Sequence, residues 1–532
     1  MSPRFVDDVS VAKSGTDIDR FVAVTRNGAG YDVLGEPAAR VAHPWPRTPE
    51  QSDVFAEWSW NGDRLTVRND AWGFQPLFYA ATSDRIVVST WLPRLLQLGV
   101  PAALDDRAMA VFLRLSYFLG TDTPFKAIRS LPRHGLLTWR AGVLNVSSAV
   151  TPPTAQPLSA QSAIDAYVTL FRQAVRRRLP AEDQRAVVPL SGGRDSRLLL
   201  FQLVAEGCRP AEAVTIHHYP PKANEDARIA PAVAERAGVP SVVLPLARHR
   251  VEAERRKNVM TSFCADRHVQ MLPLVDYLPG RADLIYDGLG GDVLAGARLE
   301  RSAPALALLA SGRCRELARM LLTEHSDETA LQAMLRPDAR RRFAFDIAEA
   351  CVTDELARYL EWPNPLGAYR FANRTARSVA LLPFGLLARA CRVVTPFIDR
   401  DLAAFLMTLP LSALANGRLR DDAIARAFPQ YAHLPYEDAQ AACGPAPGYY
   451  RRISWALARE ALRRPNTPLV RRPFLASRLA RSVATGRALW FEGRRAIFLM
   501  QLEDVLACSW EERPRGQHSD LFNLGQDVRR AI

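Results

Sequence analysis

The residues with the clearest chemical capacity lie at 190–197, Leu190-Ser191-Gly192-Gly193-Arg194-Asp195-Ser196-Arg197. Two successive glycines let a backbone approach an anion closely, and a helix opening just after them aims free amides at it. The hydroxyls of Ser191 and Ser196 add donors. Asp195 is the most informative residue, because a carboxylate repels a bare phosphate and makes sense here as a ligand for Mg²⁺ held between phosphates. The expected ligand is a metal-bound nucleotide tail, surrounded by Leu190, Ser191, Gly192, Gly193, Asp195 and Ser196, with Asp195 on the metal. The site shows no GxxxxGK[ST] run, so the γ-transfer chemistry of that loop is not implied.

The flanking elements must hold this turn rigidly. Residues 186–190, Ala-Val-Val-Pro-Leu, read as a short buried strand entering the glycines, and 196–203 as the helix leaving them. Further strands are expected at 213–217, 241–246 and 283–286, with a helix at 227–237. Strands spaced by helices argue for a parallel sheet with helices on both faces. Residues 1–150 are β-rich instead, with strand-like runs at 65–68 and 85–89 between Asn, Asp and Gly turns. A stretch rich in Pro, Thr, Ser and Ala at 151–161 reads as a linker. After it, Ser162 is expected to cap a helix with Ile164, Tyr167, Val168, Phe171 and Val175 on one stripe, ending in Arg176-Arg177-Arg178 before Pro180. From about residue 300 onward the chain reads as mostly helical, with breaks near Pro363, Pro383, Pro396, Pro410 and Pro435.

Composition narrows the class. The 532 residues are 48% hydrophobic and 23% charged, which suits a soluble globular protein of two or three domains. The formal charge of +13 comes almost entirely from arginine, lysine being confined to Lys13, Lys126, Lys222 and Lys257. These arginines are scattered among acids, so no nucleic-acid partner is expected, while an anionic nucleotide fits. The 7 cysteines have neither disulfide-like nor zinc-like spacing. The apolar stretch 379–394 is broken by Pro383, Arg389 and Arg392, and the first residues lack a signal-peptide core. No membrane association and a cytoplasmic location are expected.

The loop resembles the SGGxDS pyrophosphate-binding motif of the ATP pyrophosphatase superfamily, in which a nucleophile attacks the α-phosphate and pyrophosphate leaves. Tyr286-Asp287-Gly288-Leu289-Gly290-Gly291-Asp292-Val293-Leu294-Ala295-Gly296 resembles the SGEGADELFGG segment of asparagine synthetases. Asn224-Glu225-Asp226-Ala227-Arg228-Ile229-Ala230 resembles that family's helix after the adenine-binding strand, and Thr395-Pro396-Phe397-Ile398-Asp399 its RVPFLD segment. In the first part of the chain, Arg68-Asn69-Asp70-Ala71-Trp72-Gly73-Phe74-Gln75-Pro76-Leu77-Phe78-Tyr79 and the run 125–135 are similar to segments of class II glutamine amidotransferase domains.

This resemblance implies an N-terminal Ntn-hydrolase-like αββα sandwich over 1–150, the linker 151–161, a parallel-sheet α/β ATP pyrophosphatase domain with a helical C-terminal part over 162–510, and a tail at 511–532. The fold class is thus α/β with α+β. ATP and Mg²⁺ are the implied ligands, with Asp195 and Asp292 as catalytic and metal residues and Ile216 and Gly288 along the nucleotide. Tyr436 and Glu437 are candidates for the base that deprotonates an amine, whereas Phe397 reads as core. The adjacent His217 and His218 read as a strand-end pair whose side chains face opposite ways.

Three departures refine the expectation. Residue 2 is Ser, followed by Pro3, where the glutaminase nucleophile is a cysteine, so glutamine hydrolysis is not expected. Leu289 replaces the acid of the SGEG segment. No lysine follows Lys257, although the family places a late lysine against the leaving pyrophosphate; Arg374, Arg377, Arg420 and Arg451 are the candidate substitutes. The missing cysteine is shared with β-lactam synthetases, carbapenam synthetases and lasso-peptide macrolactam cyclases. The chain is therefore expected to be an AMP-forming ligase acting on a small molecule or peptide with both a carboxylate and an amine. A precursor peptide and a maturation protease are its expected partners. An ammonia- or glutamine-using asparagine synthetase and a non-catalytic nucleotide-binding homologue are the alternatives.

Overall fold

A computed structural model of the chain describes residues 19–508, apart from 29, 44–53, 297–301, 325, 415, 439–440, 445, 465–466 and 488–489. Ser2, Pro3 and the tail 511–532 lie outside the described residues. The first ten strands are β1 (Phe21–Asn27), β2 (Gly30–Gly35), β3 (Ala38–Ala42), β4 (Phe55–Trp60), β5 (Arg64–Asn69), β6 (Phe78–Ala81), β7 (Arg85–Ser89), β8 (Arg129–Ser130), β9 (Gly135–Arg140) and β10 (Val143–Ser148). They form two five-stranded sheets, ordered β2-β1-β7-β6-β8 and β10-β9-β5-β4-β3, and pair antiparallel. Alternation along each strand decides the faces. Leu65 and Val67 of β5 point inward and pack with Val22, Trp58, Ile86, Leu137 and Trp139, while Arg64 and Arg68 point out.

The other face of the first sheet, through Ala23, Phe78 and Val87, is covered by helices α1 (Leu92–Gln97) and α2 (Asp106–Leu115). The outer face of the second sheet carries ion pairs of Glu57 with Arg40 and Arg68, and of Arg140 with Asp63. Among the described residues the N-terminal part therefore has one helical layer, where the resemblance implies two.

Helix α3 (Ala160–Arg176) joins this part to the next. Its cap is Ser159 rather than Ser162, because Ser159 Oγ accepts the Ser162 N–H at 3.0 Å and the helix begins within the linker. The expected stripe holds: Tyr167, Phe171 and Val175 are buried. Next come β11 (Ala186–Pro189), α4 (Asp195–Ala205), β12 (Glu212–Ile216), α5 (Glu225–Arg236), β13 (Ser241–Leu244), α6 (Arg250–Met260), α7 (Leu272–Tyr277), β14 (Leu284–Tyr286), α8 (Gly291–Leu294) and β15 (Arg392–Val394). The five strands pair in parallel in the order β13-β12-β11-β14-β15. From β11 the chain runs outward to β12 and β13, then crosses to β14 on the other side. That reversal opens a crevice at the carboxyl ends of β11 and β14, where ligands bind in open α/β sheets.

Strand β15 lies inside the apolar stretch 379–394 and is not evident in the sequence, since only its register with β14 (Leu284 with Arg392) makes three residues a strand. Two π-helical turns, Phe371–Thr375 and Leu382–Leu386, precede it. No helix among the described residues is long and apolar enough to cross a membrane.

The linker separates the two parts in chain but not in core. Phe112 of α2 stacks on Phe498 with ring centroids 4.7 Å apart, and the same apolar cluster takes in Phe263, Leu317 and Phe343. Arg114, fully buried, donates to Glu328 Oε2 at 2.8 Å, Glu328 Oε1 at 2.6 Å, Phe343 O at 3.0 Å and Ala110 O at 2.8 Å. Removing this guanidinium strands a carboxylate and a carbonyl at the contact. Arg114→Ala is expected to cost about 3 kcal/mol of stability, read as a lower urea midpoint with an unchanged m-value.

Candidate active site

The turn between β11 and α4 is fixed from several directions. Leu190 donates its N–H to Val214 O at 2.9 Å and accepts the Thr215 hydroxyl at 2.8 Å. Ser191 N–H donates to Ser196 Oγ at 3.1 Å, and Ser191 Oγ accepts the Gly193 N–H at 3.1 Å. Gly192 donates to Asp226 Oδ1 at 2.8 Å and accepts the Glu437 N–H at 3.1 Å. A Cβ on Gly192 would fall 2.9 Å from Glu437 Cβ, so this position has no room for a side chain. Arg197, buried just after the glycines, donates to Leu434 O at 3.0 Å and Pro435 O at 2.6 Å. It thereby draws the distant segment carrying Tyr436 and Glu437 onto the loop.

Asp195 opens α4 and lies against the 288–291 turn, where a Cβ on Gly288 would meet Asp195 Cβ at 3.4 Å and one on Gly291 would meet Asp195 Cγ at 2.6 Å. Asp292 follows in α8. The structure thus brings Asp195, Gly288 and Asp292 together. Burial, and then the Asp292 charge, push the Asp195 carboxyl above its ordinary range, against the pull of Arg420. Two close carboxylates with backbone too near for any side chain make a hard, oxygen-only donor set, and Mg²⁺ needs one or two such groups beside phosphates and water. The residues present fit that ion. Arg420 Nη1 donates to Asp195 Oδ1 at 2.8 Å, and the neighbouring Asp421 pairs with Arg194. The helix Leu419–Ala427 is therefore docked on the loop by two ion pairs. Of the arginines considered against pyrophosphate, Arg420 stands at Asp195. Arg377 instead donates to Ser130 Oγ and Asp122 O, Arg451 to Val483 O, and Arg374 sits in the turn Phe371–Thr375.

A second cluster beside Gly192 is not legible in the sequence. His218 Nε2 lies against Asp226 Oδ2 and 3.1 Å from Lys222 Nζ, which also donates to Glu437 Oε2 at 3.3 Å and stands 3.7 Å from Asp226 Oδ2. Burial alone would raise Asp226, but hydrogen bonds from His218, Glu437 and the Gly192 N–H, with the Lys222 charge, hold it well below the carboxylate range. Burial and the Asp226 carboxylate push Glu437 up, against the pull of the Lys222 charge. The ring of Tyr436 lies against Arg194 (4.5 Å) and Arg197 (4.2 Å), and burial raises its hydroxyl. Ile216 ends β12 as a buried apolar side chain. Phe397 stacks on Phe171 at 4.5 Å in the core, and Asp399 caps the helix Arg400–Thr408 while pairing with Arg177 and Arg178.

A five-stranded parallel sheet whose switch point carries a glycine turn and facing acids defines a nucleotide-binding α/β protein. The asparagine synthase family matches residues 166–435, which include the sheet, both glycine turns, Arg420 and, at its end, the Leu434 and Pro435 that Arg197 holds. The chain belongs to the asparagine synthase family, whose members are ATP-using C–N ligases. No curated protein matches the chain. Among solved structures, a glutamine phosphoribosylpyrophosphate amidotransferase from B. subtilis complexed with ADP and GMP is similar over 50% of this chain and 45% of that one, at 12% identity and a TM-score of 0.13. The chain thus covers under half of that protein, and a likeness of this degree carries no argument.

Gly291→Ala is expected to weaken Mg·ATP binding about tenfold or more, the strain of one methyl against Asp195, as measured by calorimetric titration. A metal ligand must be ionised and Asp195 is raised, so Mg·ATP affinity should fall on acidification from a pH above the ordinary aspartate range of about 4. Because Arg420 lowers Asp195, Arg420→Gln should move that inflection to higher pH.

Proposed function

We propose that this chain is an AMP-forming amide-bond synthetase that adenylates a carboxylate and passes the acyl group to an amine of the same substrate. The observation that carries this reading is the placement of Asp195 and Asp292 together at the strand-to-helix turn. The first turn of α4 would receive the β- and γ-phosphates on its opening amides. Magnesium held by Asp195 and Asp292 would neutralise charge developing on the leaving pyrophosphate. Arg420 and Lys222 add fixed positive charge on two sides of the loop, the first paired with Asp195 and the second with Glu437. Lys222 lies far from the chain's end, so a cation for this role need not be late in sequence.

The substrate carboxylate attacks the α-phosphorus, and the bond to pyrophosphate breaks as the acyl adenylate forms. The amine then attacks the acyl carbon, AMP leaves, and the amine proton passes to a base. Glu437 is the better-placed candidate for that proton, since burial and the neighbouring Asp226 carboxylate raise its carboxyl and make its ionised form the stronger base; the ring of Tyr436 is occupied by two guanidinium groups. Holding acyl and amine groups in one site makes the second step intramolecular and removes the need for ammonia.

The specific version is macrolactam formation on a peptide, with a precursor peptide and a maturation protease as partners. A peptide bearing an internal Asp or Glu and a free amino end, incubated with the protein, Mg²⁺ and ATP, is expected to give AMP and a product lighter by one water. AMP without a dehydrated product counts against cyclisation, and asparagine formed from aspartate and ammonium would favour the ammonia-using alternative. Asp195→Asn is expected to abolish exchange of labelled pyrophosphate into ATP; undiminished exchange defeats the reading.

A further inference from the structure

The chain that leaves Glu437 becomes strongly cationic. Between Pro447 and Arg487 it has 10 arginines and a single acid, Glu460. That acid faces inward, pairing with Arg255 at 2.6 Å and Arg464 at 2.8 Å. Both arginines also pair with Asp504, which ties the helix Pro447–Leu462 to α6 and to the helix Trp490–Ala507. The helix Pro447–Leu462 buries Tyr450, Ser454 and Leu457, and Ser454 Oγ donates to Ser482 Oγ at 2.8 Å in the helix Arg472–Thr485. With 3.6 residues per turn, the opposite face carries Arg452, Trp455, Arg459, Leu462 and Arg463 within about 100° of arc. All five are exposed, Trp455 by 61% and Leu462 by 84%. Arg452, Arg459 and Arg463 make no ion pair among the described residues, nor does the exposed Arg481 of the neighbouring helix. Arg459 and Arg463, one turn apart, repel each other in the free protein, a cost that a bound anion removes.

This face starts at the rim of the site. The chain entering the helix pairs with the segment that carries Lys222: Ala223 N–H donates to Ala441 O at 3.1 Å, and Cys443 N–H to Pro221 O at 2.8 Å. The ring of Tyr449, in the first turn, lies 6.1 Å from that of Tyr219. Lys222 and Glu437 are thus near one end of the helix, and Leu462 stands about 20 Å along its axis from Tyr449. About six residues of extended peptide cover that distance. The chemistry of the face selects among anionic partners. A membrane surface takes up helices by their apolar face, and here that face is buried against neighbouring helices. A nucleic-acid strand calls for aromatic platforms under successive bases, whereas this face has one ring and one aliphatic side chain two turns apart. Carboxylates match guanidinium forks, and apolar side chains placed between them match Trp455 and Leu462.

We propose that the outer face of the helix Pro447–Leu462 docks an acidic segment of the peptide substrate, a segment remote from the groups that react. The inference rests on the reading of the substrate as a peptide acted on at the Asp195 site. Docking along the helix leaves the rest of the peptide at the Lys222 end, which raises its concentration at the nucleotide without a contact to the reacting carboxylate.

The test uses the full chain and a fluorescein-labelled peptide of about ten alternating Glu and Leu residues, blocked at both ends, with binding read by fluorescence anisotropy. Replacing each Glu of the peptide by Gln should weaken binding at least about tenfold, and so should raising NaCl from about 0.05 to about 0.5 M. Arg452→Glu combined with Arg459→Glu should weaken it about a hundredfold, and Trp455→Ala about tenfold. Both variants should keep wild-type Mg·ATP affinity by calorimetry, the control that they are folded. Unchanged peptide affinity in either variant overturns the proposal. So does displacement of the labelled peptide by phosphatidylglycerol vesicles or a thymidine oligonucleotide at lower concentration than by unlabelled peptide, which would assign the face to a membrane or to nucleic acid. Asp195→Asn should lose Mg·ATP binding while keeping the peptide. Peptide binding by a wild-type protein that does not bind Mg·ATP would defeat the adenylation reading alone, whereas Mg·ATP binding without peptide binding would defeat this inference alone.

Discussion

Two carboxylates held close in a low-dielectric crevice repel each other, and much of this molecule is arranged to keep Asp195 and Asp292 there. Burial and repulsion raise the Asp195 carboxyl, so the pair is a store of unfavourable charge that a divalent cation relieves. Glycine at 291 is what permits the approach, because a single Cβ there would strike the Asp195 carboxyl carbon. Arg420 offsets part of the repulsion from one side, which ties the helix Leu419–Ala427 to the loop.

The same economy recurs around the glycines. Arg194 and Arg197 follow the loop directly and reach Asp421 and the carbonyls of Leu434 and Pro435, more than two hundred residues away. Their ring partner, Tyr436, completes a stack of cation, aromatic and cation that fixes the segment carrying Glu437. The loop is thus built from both ends of the synthetase part, and its far wall exists only when the helices after residue 400 are in place. The N-terminal sheets contribute through α2, whose core is continuous with those helices, and through the Arg114 contact.

The legible portion of the site was the portion contiguous in sequence. Residues 190–197 announce a strand, a glycine turn and a helix, and the structure gives β11 and α4 within two residues of those expected bounds, because the burial pattern and the turn residues are local signals. The helix cap moved from Ser162 to Ser159, since either serine satisfies the local rule and only packing of the stripe chooses. Strand β15 and the π-helical turns were not legible, because short apolar runs take their conformation from the neighbours they pair with.

What the sequence determined by itself is therefore the class of chemistry: a phosphate-cradling turn with an acid in it, a second glycine turn with another acid, and alternating strands and helices to hold them. Only the tertiary structure decided which distant groups complete the site. Lys222, His218, Asp226 and Glu437 meet because the chain folds back beside Gly192. Spacing encodes contacts within one turn or strand. Contacts between elements depend on strand order and helix docking, which arise from burial of the whole core and leave no periodic mark on the residues they bring together.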